Sequence, residues 1–242
     1  MMELAGDEVH LWWLDLEAHH HDDDRLLLDA DERQRADRFR FGHHRRHFTT
    51  HRAWLRRVLA LYLHCAPAGI RYGRVGNDKP VLATDSAHGE LHFNLSHSAH
   101  VALCAVTRDA PLGVDVERRR VLKDELEIAA RHFGPREFAW VREADATQRL
   151  ERFFTVWTRK EAFIKATGEG LSRALESFDV RPQERGPVAV RECTPAAAPW
   201  YVQALSLDAD VAAALCSRCP QPRLSWPAPP PGRDRALRPA TP

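Results

Sequence analysis

The 242-residue chain contains no apolar run approaching the roughly 18 residues that a membrane-crossing helix requires, so no membrane partner is expected. Its first residues lack the charged start and apolar core of a secretory signal. Cysteine is scarce and odd in number, five in all and spread along the chain, which gives no disulfide framework. Cys216-Ser217-Arg218-Cys219 is one Cys-x-x-Cys without a second pair, so strand-end thiols are favoured over a zinc or redox centre. An excess of one charge is missing too. Thirty-five Lys and Arg offset 34 Asp and Glu for a net charge of +1, and no nucleic-acid partner is expected from it. Together these absences predict a reduced, cytoplasmic protein.

Hydrophobic residues make up 44% of the chain, enough for one large domain or two smaller ones. Charge is concentrated locally. Arg33 to Arg57 carries nine arginines, four histidines and one acid, Asp37; this is either a cationic helical surface suited to phosphates or a solvated arginine-rich helix. His19-His20-His21 before Asp22-Asp23-Asp24 is able to chelate a metal but reads better as an exposed loop. Periodicity predicts an opening strand over 9–16, helices over 31–40 and 46–64, and extended segments at 70–75 and 79–82 with a turn at Asn77-Asp78. Strands follow at 91–95, 101–107 and 113–117, helices at 124–131, 136–143 and 151–167, and a closing set of strands between 178 and 216. Helix and strand are shared evenly across a division near residue 110. The boundaries read as 1–110, 111–225 and a proline-rich tail, 226–242, expected to be disordered.

Three segments carry chemistry. In 153–172, Trp157, Glu161 and Lys165 recur every four residues and share one helical face. Alone, Glu161 and Lys165 read as an intrahelical ion pair; Gly168 and Gly170 end the helix. In Gly113-Val114-Asp115-Val116-Glu117, strand alternation puts both carboxylates on one face and both valines on the other. Two such acids repel unless a divalent cation or solvent intervenes, and Mg²⁺ is held by one or two carboxylates with waters and phosphate oxygens. In Asn94-Leu95-Ser96-His97-Ser98, a half-buried strand ends in hydroxyls around an imidazole. Ser96 and His97 point to opposite faces, which disfavours a nucleophile–base pair.

In this order, Asn-Leu-Ser-His-Ser, Gly-Val-Asp-Val-Glu and Trp-x-x-Lys-Glu-Ala-x-x-Lys-x-x-Gly-x-Gly-Leu-Ser resemble the 4′-phosphopantetheinyl transferase superfamily, and within it the Sfp-type branch. The resemblance runs from about residue 30 to residue 181. It implies an α+β fold, a pseudo-dimer of two similar halves with the active site in the cleft between them. It also implies transfer of 4′-phosphopantetheine from coenzyme A, the co-substrate, to a serine of an apo acyl or peptidyl carrier protein. The implied metal is Mg²⁺, with Mn²⁺ as a substitute, on Asp115, Glu117 and Glu161. Asp115, Glu161 and Lys165 are the implied catalytic residues, Glu161 as general base and Lys165 at the leaving phosphate. Arg52, Lys79, Ser96, His97 and, more weakly, Arg45 and Arg33 match coenzyme A contacts. Lys160 is expected as a charge near the metal or phosphate, with Trp157 packing beside it. Leu171, Leu175 and Phe178 fit either a carrier-facing patch or the core. The length favours a monomer. Two other readings stay open: a metal-dependent phosphohydrolase using the same carboxylates, and a non-catalytic module that binds coenzyme A or a carrier protein.

Overall fold

A computed structural model describes residues 2–75, 79–83, 91–192 and 198–227. The expected turn at Asn77-Asp78, Cys193 and the tail beyond Pro227 lie outside the described residues. In chain order the main elements are β1 (Glu8–Asp15), α1 (Asp24–Leu27), α2 (Ala30–Asp37), α3 (Gly42–Leu63), β2 (Tyr72–Val75), β3 (Lys79–Leu82), β4 (His92–Ser98), β5 (Val101–Thr107) and β6 (Gly113–Arg118). They continue with α4 (Glu125–His132), α5 (Pro135–Arg142), α6 (Ala146–Thr167), β7 (Phe178–Asp179), β8 (Val188–Ala189), β9 (Arg191–Glu192), β10 (Tyr201–Leu205), β11 (Val211–Ser217) and β12 (Arg223–Ser225).

Two four-stranded sheets dominate, ordered β12-β1-β5-β4 and β6-β11-β10-β8. Strand alternation gives each sheet two apolar faces. On β1, Trp12 and Leu14 pack against α3, while Val9, Leu11 and Trp13 face the other way. On β11, Ala212, Ala214 and Cys216 pack against α6, while Val211, Ala213 and Leu215 join Val9, Leu11, Leu103, Val114 and Val116 in a core between the sheets. The layers therefore run helix, sheet, sheet, helix, with a 22-residue helix on each outer face. This is the expected pseudo-dimer of two α+β halves. Continuous burial on β5 and β11 follows from being covered on both faces.

Several details differ from the sequence expectation. α6 begins at Ala146, five residues early, because Asp145 caps it by accepting from the N–H groups of Thr147 and Gln148, both at 2.9 Å. β12 pairs parallel with β1, so residues 223–225 return to the first half's sheet although the sequence assigns them to the second. Trp226 packs on the inter-sheet core rather than opening a disordered tail. Leu175 and Phe178 are buried in the second half's core, which removes both from a carrier-facing patch; the Leu171 side chain lies outside what is described.

Candidate active site

The site forms where β4 of the first half meets β6 and α6 of the second. α6 ends at Gly168, whose φ of +77° suits glycine, and whose N–H closes on the Ile164 carbonyl. It lies unusually close to β6. A Cβ at Gly113 would fall inside the envelope of Ala162 O and Ala166 N, so glycine is required there. That approach brings the one face of β6 that carries Asp115 and Glu117 under Glu161 and Lys165.

Lys165 bridges to Asp115, with Nζ 2.6 Å from Oδ1, and also donates to Ser96 Oγ at 2.9 Å. Its partner is thus on the strand and not Glu161 on its own helix, because Asp115 is almost wholly buried and brings the stronger demand for a counter-charge. Ser96 Oγ donates to Asp115 Oδ1 at 2.9 Å, and Ser98 Oγ donates to Glu117 Oε2 at 2.5 Å. Asp115 Oδ2 is buried with no hydrogen-bond partner.

The electrostatics follow from this crowding. Burial, then repulsion from Asp115, pushes the Glu161 carboxyl up to about 7, with Lys165 pulling the other way. Burial also raises Glu117, while the Ser98 hydroxyl opposes the shift. The three carboxylates therefore feel one another, yet among the described residues no three His, Cys, Asp or Glu side chains close into a metal-ligating group. An orphaned carboxylate oxygen in a nest of acids, one of them pushed toward neutrality, is a donor set that fits a hard divalent cation. The sequence's other candidate does not form such a set: His19, His20 and Asp24 bond instead to Asp15 O, Thr50 and Arg57.

Other expected residues stand as follows. His97 reaches solvent on the opposite side of β4 from Ser96, with its ring 4.6 Å from that of His51. Protein crowding and then Lys165 lower the His97 pKa, and full burial holds His51 well below its ordinary value. Lys79 donates to the carbonyls of Leu112 at 3.0 Å and Ala166 at 3.3 Å, so it spans the halves at the end of α6; burial lowers it to about 8. Arg52 is held 2.6 Å from Glu32 and lies over Tyr72. Arg33 is exposed on α2, and Arg45 on α3 donates to Phe39 O.

Lys160 requires a correction. It is fully buried and pairs with none of the cleft's three acids but with Glu137, 2.7 Å away, while donating to the carbonyls of Leu175 and Phe178. It ties α6 to α5 and the segment after the helix. Trp157 stacks on Phe153 in the second half's core.

Sequence reasoning missed the bonds made by Asn94 and Ser98 and the fit at Gly113. It also missed a cavity of about 610 Å³ lined by Asp31, Gln34, Arg35, Arg38, Phe39 and Arg74. The arginine density of 33–57 was its only signal.

Two family models match in sequence. The 4′-phosphopantetheinyl transferase superfamily matches residues 111–216, and a 4′-phosphopantetheinyl transferase N-terminal model matches 18–108. The chain is 40% identical over 181 residues to 4′-phosphopantetheinyl transferase HetI of Nostoc sp. (strain PCC 7120 / SAG 25.82 / UTEX 2576), covering 74% of this chain and 76% of that protein. The chain belongs to the 4′-phosphopantetheinyl transferase superfamily. Similarity to other phosphopantetheinyl transferases is as broad. One from Bacillus subtilis is 30% identical over 82% of this chain and 87% of its own length. Psf-1 of Bacillus pumilus is 35% identical over 80% of each. The two matched segments coincide with the two sides of the phosphopantetheinyl transferase cleft: Ser96 and Lys79 come from one, Asp115, Glu161 and Lys165 from the other.

Proposed function

We propose that this transferase moves the 4′-phosphopantetheine of coenzyme A to a serine of an apo acyl or peptidyl carrier protein, leaving adenosine 3′,5′-bisphosphate, and does so with the cleft around Asp115. The carrying observation is the meeting of Asp115 and Lys165 under Ser96, with Asp115 Oδ2 unpartnered and Glu161 raised beside it. Asp115, Glu117 and Glu161 would hold Mg²⁺, or Mn²⁺ in its place. When bound, the ion supplies charge neutralisation at the pyrophosphate.

The remaining work falls to the chain's own groups. The carrier serine must lose its proton as it attacks the β-phosphate. Glu161 is the group that would take it, directly or through a water. Lys165 brings a positive charge to the leaving phosphate, which requires it to loosen from Asp115. Ser96 faces the cleft, His97 would meet the phosphates from the solvent side of β4 beside His51, and Lys79 stands at the nucleotide end. Arg52, Arg45 and Arg33 contribute positive charge for the 3′-phosphate, Arg52 sharing its guanidinium with Glu32. We read the protein as a cytoplasmic monomer; no helix among the described residues is long and apolar enough to cross a membrane.

Incorporation of labelled coenzyme A into apo carrier protein tests the assignment. Asp115→Ala and Glu161→Ala are each expected to abolish transfer with the circular dichroism spectrum unchanged. Normal transfer by either variant would remove that residue from the machinery.

A further inference from the structure

β4 and β6 are the outer strands of two different sheets, and among the described residues no backbone ladder joins them. Side chains do so instead, in strict register. Asn94 Oδ1 accepts from Val114 N at 2.8 Å, Ser96 Oγ from Val116 N at 3.3 Å and Ser98 Oγ from Arg118 N at 3.2 Å, each pair 20 residues apart. Alternate residues of one strand thus satisfy alternate amides of the other. The two serines go further. Each donates its single hydroxyl hydrogen in a hydrogen bond to the acid one position before the amide it accepts from: Ser96 to Asp115, Ser98 to Glu117.

We infer that Ser98 is a positioning residue for Glu117: by accepting from the Arg118 amide and donating to the Glu117 carboxylate, it fixes the direction of that acid within the cleft. A hydroxyl has one proton and two lone pairs, so the strand amide dictates where the proton goes. Without it, half-buried Glu117 keeps only a 3.5 Å contact to Arg120, itself exposed, and is free to turn to solvent. Asn94 is the internal comparison, since it makes the same link to the β6 backbone but touches no carboxylate.

This inference rests on the reading of Glu117 as a metal ligand, and binding rather than turnover tests it. Mn²⁺ is titrated calorimetrically into the full chain with saturating coenzyme A and no carrier protein. Ser98→Ala is expected to weaken Mn²⁺ binding by about tenfold or more, the usual scale for losing an outer-shell hydrogen bond to a ligand. Ser98→Thr, which keeps the hydroxyl, should bind close to the parent. Asn94→Ala should lose thermal stability while keeping the parent's Mn²⁺ affinity. In a Glu117→Ala background, Ser98→Ala should add nothing. Should the alanine variant not fold, Ser98→Cys replaces it, its thiol being a poor donor of similar size. Parent-like affinity in Ser98→Ala, or an equal loss with Glu117 absent, overturns the inference alone. A parent that binds no Mn²⁺ overturns the metal reading and this inference with it.

Discussion

Single residues decide the electrostatics of the cleft. Glu161 has a carboxyl raised from 4.5 to about 7 by burial and by Asp115. Between those values the folded state binds more protons than the unfolded chain, so this group makes the protein less stable as pH rises. The full penalty, up to about 3 kcal/mol, is present above pH 7 and absent below pH 4. Glu161→Gln should therefore raise the melting temperature of the metal-free protein at pH 8 and leave it nearly unchanged at pH 4. A calorimetric scan at the two pH values checks this, and equal shifts at both would contradict it. Lys160 shows the opposite use of a buried charge: matched to Glu137 and two carbonyls, it anchors chain segments and performs no chemistry. Its place in the motif made it a candidate for the site. Only the facing helix, which carries Glu137, reveals what it pairs with.

Among the elements, α6 and β6 matter most. The helix buries Phe153, Phe154, Val156, Phe163 and Ile164 in the second half's core, at roughly 1.5–3 kcal/mol for each large side chain. Gly113 is what permits its turn of residues 162–166 to touch the strand. Gly113→Ala should displace α6 and cost about 1–3 kcal/mol, read as a lower denaturant midpoint in urea with the slope unchanged. Activity should fall further than stability, since Lys165 and Asp115 sit on the two surfaces forced apart; a variant with parent stability would show that the contact relaxes freely. These elements were largely legible. Val114 and Val116 do face the core and Asp115 and Glu117 the helix, because a strand has only two faces. The arginine-rich helix was less legible. Arg52, Arg56 and Arg57 turn inward to Glu32, Asp29, Asp23 and Asp24, acids that lie just upstream of the window in which the arginines were counted. Their neutralisation depends on how α1 and α2 fold back on α3.

At the scale of the whole molecule, the two halves share a core. Val9, Leu11, Val101, Leu103 and Ala105 of one sheet pack on Val114, Val116, Leu215 and their neighbours on the other, and β12 returns from the end of the described chain to pair with β1. The chain should therefore melt in a single calorimetric transition, and a fragment of residues 1–110 should not fold alone, because its inner sheet face and the β1 edge would both be uncovered. Two resolved transitions, or a fragment with a cooperative melt, would show the halves to be independent. The three motifs in their order marked the family, and the resemblance implied the architecture; the alternation of β6 and the four-residue spacing on α6 put Asp115 with Glu117 and Glu161 with Lys165, since those pairings follow from local geometry. Tertiary structure alone decided the partners: Lys165 with Asp115 rather than Glu161, Lys160 with Glu137, Lys79 with the carbonyls of Leu112 and Ala166, and Ser98 with Glu117. A hydrogen bond or ion pair goes to whichever group the packing leaves nearby and unsatisfied, and across two sheets that choice is set by register, which no stretch of sequence contains.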